Sequence, residues 1–245
     1  MKKKLLFIAA LFMLLNTAMA QNETSTISAD RPGMSTGTDV MPKGKIQWET
    51  GVGYESVGGS ATYTLNNTLL RYGLVDRAEI RVGMDLLHEG STTGLSALNV
   101  GTKISLVENR GWIPAVSLMA NMQSPHIGNK SFLPSHLAPQ LYILCQNQVT
   151  EWMNIGYNIG AEWDGAVAEP STFGAICLGF SITENLGCFV ESYNYFHSQG
   201  NIYAIDFGFN WVILSNLQLD IATNLSLQEM QNHMMVSGGI AWLIS

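Results

Sequence analysis

Met41-Pro42-Lys43-Gly44-Lys45-Ile46-Gln47-Trp48-Glu49-Thr50-Gly51-Val52-Gly53-Tyr54-Glu55 is the stretch whose reading decides the fold. From Ile46 onward it alternates without a break. Ile46, Trp48, Thr50, Val52 and Tyr54 fall on one side; Gln47, Glu49, Gly51, Gly53 and Glu55 fall on the other. A period of two is the mark of a strand, because successive side chains leave opposite faces. One face is apolar with aromatics near both ends, and the other is polar or bare. A membrane β-barrel has the same division, with hydrocarbon outside and a wet lumen inside.

The preceding residues carry a resemblance. Ile27-Ser28-Ala29-Asp30-Arg31-Pro32-Gly33, then Val40, Gly44 and Gln47-Trp48-Glu49-Thr50-Gly51, form its first block. Leu70 to Gly83, read LRYGLVDRAEIRVG, is a second, and Gly187-Cys188-Phe189-Val190-Glu191 a third. These blocks resemble the outer-membrane transporter family described as "putative MetA-pathway of phenol degradation". The resemblance implies an outer-membrane barrel and hints at aromatic solutes, which nothing in the residues themselves selects.

Export is written in the first twenty residues. Lys2-Lys3-Lys4 is a basic lead, Leu5 to Leu15 an apolar core too short to span a bilayer, and Ala18-Met19-Ala20 a small-x-small cleavage site. Residues 1–20 are therefore expected to be a signal peptide. Three of the twelve basic residues lie there, leaving nine against nineteen acids, a net charge of −10. That balance argues against a nucleic-acid partner and supplies no polybasic anchor. Charged residues are 13% of the chain, about half the usual share. Mean hydropathy is +0.13, yet no apolar run of membrane-helix length follows Ala20. A barrel resolves this by spreading apolar surface over alternate residues.

The fold expected is all-β: a closed antiparallel transmembrane barrel of about twelve strands over residues 46–245, preceded by an irregular arm over 21–45. Beyond the first strand, segments fall at 61–72, 77–85, 98–106, 112–122, 137–147, 153–163, 172–182, 187–196, 201–213, 217–225 and 234–244. Short connectors are expected to alternate with longer ones at 86–97, 123–136, 164–171 and 226–233, as periplasmic turns alternate with outer loops. Trp48, Trp112, Trp152, Trp163, Trp211 and Trp242 lie near strand ends, where aromatic girdles form. A soluble β-sandwich would instead place them mid-strand. The partners expected are the outer-membrane bilayer, the outer-membrane insertion machinery and a small solute. Such barrels usually close on an aromatic residue; here the last residues are Trp242-Leu243-Ile244-Ser245.

Counting parity along the strands turns Glu49, Glu55, Glu79, Arg81, Asp85, Lys103, Glu162, Asp206 and Asp220 toward the lumen, and Glu191 with them. Two readings stand for this set: a lined passage that repels anions, or a network that braces the wall. The arm, with Asp30 and Arg31, reads either as a periplasmic segment or partial plug, or as a mobile terminus. Twelve strands lie between the filled small barrels and the open porins. The lumen is therefore expected to be narrow, blocked in part by the arm or by the loop at 123–136.

No catalytic residues, cofactor or metal are expected. His197 and Ser198 are adjacent, so in extended chain they face opposite ways and cannot act as a pair. His126, His136 and His233 fall in loops without a supporting Ser. Gly51-Val52-Gly53 lacks the third glycine of a dinucleotide loop, since Ser56 stands there. Cys145, Cys177 and Cys188 contain no C-x-x-C pair and read as lipid-facing or packed thiols. The functional expectation is passive passage of a small solute; a non-transporting barrel and a barrel lipid hydrolase are the alternatives.

Overall fold

A computed structural model describes residues 27–197, 200–227 and 233–244; the signal peptide expected at 1–20 lies outside them. The described strands are β1 (Ile46–Val57), β2 (Ser60–Val75), β3 (Ala78–Glu89), β4 (Thr92–Leu95), β5 (Asn99–Val107), β6 (Ala115–Gln123) and β7 (Ala138–Thr150). They continue with β8 (Met153–Glu162), β9 (Ser171–Ser181), β10 (Leu186–His197), β11 (Gly200–Leu214), β12 (Leu217–Ser226) and β13 (His233–Leu243). Every neighbour pairs antiparallel, and β1 pairs with β13 from Gln47–Leu243 to Val57–His233. The sheet therefore closes on itself. Twelve strands make the wall, and β4 is an extra short strand on β3.

Alternation sets the two faces. Along β12, Gln218, Asp220, Ala222 and Asn224 are buried while Leu219 and Ile221 are exposed. The same holds for β11, where Ala204, Asp206 and Gly208 are buried and Phe207, Phe209 and Trp211 are exposed. The exposed large apolar side chains form a continuous outer band that includes Ile80, Val82, Val100, Ile104, Ile143, Ile159 and Val236. A soluble protein would bury this surface, whereas hydrocarbon accepts it.

Aromatics flank the band at both ends. Near the end that holds Ile46 and Ile244, Trp48 stands opposite Trp242, and Trp152 stacks on Phe180. Near the other, Tyr54 packs on Tyr63 and Phe196 on Tyr203. Tyr203 and Trp211 lie on one strand, roughly 27 Å apart at ~3.4 Å per residue. At a tilt of ~40° that is about 20 Å of height, close to the apolar band of a membrane barrel. A shallow apolar hollow of about 620 Å³ dents the outer wall over Ala120 and Gly160.

The two ends differ, though not quite as the expected alternation of connectors has it. The end with Ile46 and Ile244, here the terminal end, carries tight turns such as Asp76–Arg77 and Ser215–Asn216. At the loop end, residues 124–137 and 163–170 form the long connectors. However, β1 and β2 run past the expected bounds and close on Gly58 and Gly59, both at positive φ. That is the primed two-residue hairpin, which matches strand twist. The connector expected at 86–97 is instead an extension of β3 folded back as β4. Conversely, the strand expected from Trp112 starts at Ala115, and Trp112 lies in an exposed turn, at 97%. Gly111, at positive φ, and Trp112 form a two-residue tip closed by the Arg110–Ile113 bridge.

Candidate functional site: a lumen crossed by the arm

Residues 27–45 run inside the barrel. The arm enters at the terminal end, where the Ile27 N–H donates to the Ser215 carbonyl at 3.3 Å. It leaves by the same end, where the Gly44 N–H donates to the Gly73 carbonyl at 2.8 Å. Between those points it crosses the lumen and touches most of the wall.

The seat is a charge cluster. Arg71 of β2 is fully buried and donates through all five of its N–H groups. Its Nε and Nη2 grip Glu79 at 2.9 and 3.0 Å, and Nη1 reaches Glu49 at 3.0 Å. The remaining two go to the arm: Ser28 carbonyl at 2.7 Å and Asp39 carbonyl at 3.0 Å. Lys103 donates to Asp30 at 2.9 Å and to the carbonyls of Gly37 at 3.0 Å and Asp39 at 2.8 Å. Arg81 bridges Asp30 at 2.5 Å and Glu79 at 2.8 Å. Asp30 on the arm thus sits among three wall cations. Burial alone would raise its pKa, but Arg71, Lys103 and Arg81 together hold it well below the usual carboxylate range.

Across the lumen, Arg31 grips Asp220 with two N–H groups at 3.0 and 3.1 Å and gives a third to Asn67 at 3.1 Å. This fork has room because the wall beside it carries no side chain. A Cβ on Gly51 or Gly239 would lie 2.4 Å from Arg31 Nη2. Farther along, the Met34 and Ser35 N–H groups donate to Glu191, as does the Ser35 hydroxyl. Thr36 exchanges two hydrogen bonds with Asn158, at 2.7 and 3.1 Å. Ser117 donates to the Thr38 carbonyl at 2.6 Å, and the Met41 N–H to Glu79 at 2.7 Å.

The arm divides the lumen. Toward the loop end lies a cavity of about 470 Å³, lined among others by Arg31, Glu55, Asn67, Asp85, Asn99 and Phe132. Phe132 belongs to the loop at 124–137, which folds over this cavity. Toward the terminal end lies a second, of about 430 Å³, lined by Asp39, Met41, Glu108, Gln146 and others. Around the far wall the interior is aromatic. Tyr142, Phe173, Tyr195 and Tyr193 touch ring to ring, with centroids 5.9, 5.1 and 6.2 Å apart.

Each residue singled out in the sequence has a definite place. Glu49, Glu79, Arg81, Lys103, Asp220, Asp30 and Arg31 come together in the arm's seat. Asp85 accepts from Asn67 at 2.6 Å above it. Glu191 and Asp206 are buried opposite each other in register on β10 and β11. Glu162 is half-buried near the loop end, beside Gln140. Parity counting passed over Arg71, Asn67 and the inward tyrosines. Cys177 faces the interior beside Glu191, while Cys145, one residue from buried Leu144, turns outward; all three cysteines are free thiols. His197 does meet a serine, but it is Ser171, with Oγ 2.6 Å from Nδ1. Among the described residues no group of three His, Cys, Asp or Glu side chains could hold a metal ion.

A closed antiparallel barrel with an apolar outer band and a polar interior is the architecture of transmembrane β-barrels of the outer-membrane type. The chain belongs to the family described as "Putative MetA-pathway of phenol degradation", whose model matches residues 29–243. Among solved structures it is similar to the COG4313 outer membrane channel from Pseudomonas putida F1, with 11% identity and a TM-score of 0.65. That match covers 87% of this chain and 99% of the other. It is also similar to the KdgM porin, with 7% identity and a TM-score of 0.58, over 80% of this chain and 98% of the porin. NanC porin gives 8% identity, a TM-score of 0.58 and the same coverage. No curated protein sequence matches the chain.

Proposed function

We propose that this barrel is an outer-membrane channel for passive passage of a small neutral or cationic solute, and that its arm is the gate. Charge carries the reading. Arg71, Arg81 and Lys103 are the only lysines and arginines in the described strands. With Arg31 they are matched by Asp30, Glu49, Glu79 and Asp220. Asp85, Glu162, Glu191 and Asp206 then leave the interior acidic, which raises the local concentration of cations and excludes anions. The KdgM porin has been solved with disordered oligogalacturonate; an acidic lumen is poorly suited to such a polyanion.

Planar-bilayer recording across a KCl gradient tests this. The reversal potential is expected on the cation-selective side, and deleting residues 27–40 is expected to raise unit conductance. If neither form conducts, the non-transporting alternative holds; an anion-selective potential removes the charge argument. The Ser171–His197 contact is assigned a structural role, tying β9 to β10 at the mouth. Membrane lipid turnover is expected to be unchanged in Ser171→Ala, and a loss of turnover would favour the hydrolase.

A further inference from the structure

One level of the wall reads Cys177, Glu191, Asp206 and Asn224 on four successive strands, each in register with the next. All four face the interior. Asp206 is wholly buried, and neither of its carboxylate oxygens has a hydrogen-bond partner. Asn224, 2% exposed, donates its amide to the Tyr193 hydroxyl, yet its Oδ1 is also unpartnered. Glu191 stands beside them and holds Met34 and Ser35 of the arm.

The lumen's cations are committed elsewhere. Arg31 is spent on Asp220 and Asn67, and Arg71, Arg81 and Lys103 on Asp30, Glu49 and Glu79. A buried carboxylate that makes no short hydrogen bond, with only the Met34 and Phe207 backbone N–H groups turned toward it, is costly unless a cation or a proton joins it. Two carboxylates side by side, with a neutral amide oxygen next in line, favour a double positive charge. The donors are oxygens, which suit a hard ion rather than a soft one.

We propose that Asp206, Asn224 Oδ1 and Glu191 bind one divalent cation of the calcium class, which fixes the arm at Met34–Ser35 through Glu191. This deepens the cation-preferring reading, but it does not require the barrel to conduct.

The folded barrel in detergent, stripped with chelator, is titrated with CaCl2 by calorimetry. Tb³⁺ luminescence sensitised by Tyr193 gives a second readout. One Ca²⁺ per chain is expected, with a dissociation constant of about 10⁻⁴–10⁻³ M, the range of extracellular sites. Asp206→Asn is expected to weaken binding about tenfold or more, a loss of about 1.4 kcal/mol or more. Asp76→Asn, in the β2–β3 turn, is expected to bind as the native chain does. Heat-shifted gel mobility shows that each variant is folded; should Asp206→Asn fail that check, Glu191→Gln takes its place with the same expectation. The proposal is overturned if the folded native barrel binds neither Ca²⁺ nor Tb³⁺, or if the folded variant binds both undiminished. It falls equally if no metal binds and Asp206→Asn raises the melting temperature, since the carboxyl then holds a proton. A barrel that binds Ca²⁺ but passes no current would uphold this site and remove the channel reading.

Discussion

Arg71 has no donor to spare, and that fixes its importance. Two of its five N–H groups hold arm carbonyls and three hold wall carboxylates. Removing one partner of a buried ion cluster leaves the others uncompensated, at about 3–5 kcal/mol. Arg71→Met is therefore expected to lower the barrel's heat-shift temperature and to release the arm, raising conductance. Arg71→Lys keeps the charge but not the fork, and is expected to rescue only part of either loss. Steric control sits at Gly51 and Gly239. Gly239→Ala places a methyl 2.4 Å from both Arg31 Nη2 and the Thr50 carbonyl oxygen of β1, so more frequent channel openings are expected together with a lowered heat-shift temperature. Glu49, Glu79 and Lys103 were legible because their strands alternate cleanly. Arg71 was not, because the β2 register slips between Thr64 and Asn66 and again between Gly73 and Val75. Each slip reverses parity, so a count made from either end of β2 faces the wrong way at Arg71.

At the scale of the element, the arm folds without secondary structure of its own. Its backbone groups are satisfied by wall side chains: Glu191, Asn158, Ser117, Arg71 and Lys103. A sequence shows this segment to be polar and irregular, but not that its partners lie up to 189 residues away. That is why plug and mobile terminus looked alike in the sequence. The arm's acid sensitivity follows from Asp30. Its pKa is depressed when seated, so the seat's stability is complete above roughly pH 5 and is lost as pH falls below the free-carboxylate value of about 3.9. A spin label at Thr36→Cys in a cysteine-free background is expected to stay immobile at pH 7 and 5 and to gain mobility near pH 3. A label equally mobile at all three would mean that the arm is not held by this cluster.

For the molecule as a whole, the outer band is the part most plainly written in the chain, since lipid demands an apolar residue at every second position of every strand. Val82 and Arg81 are adjacent, yet one meets hydrocarbon and the other a salt bridge. Val82→Arg is expected to cost about 2–4 kcal/mol at the membrane midplane, read as a lowered heat-shift temperature. The strands' overrun at the loop end was hidden because water accepts a hairpin as readily as a loop, leaving no apolar limit in the sequence to mark it. The arm's entry and exit at one end have a mechanical consequence. Tension on the chain ahead of Ile27, applied from that side, meets the contacts of Ser28, Asp30 and Arg31 before those of Ser35 and Asp39. The bonds are loaded in sequence rather than all at once, as in a zipper. Such a pull could clear the bore at modest force while the hoop of twelve strands stays whole.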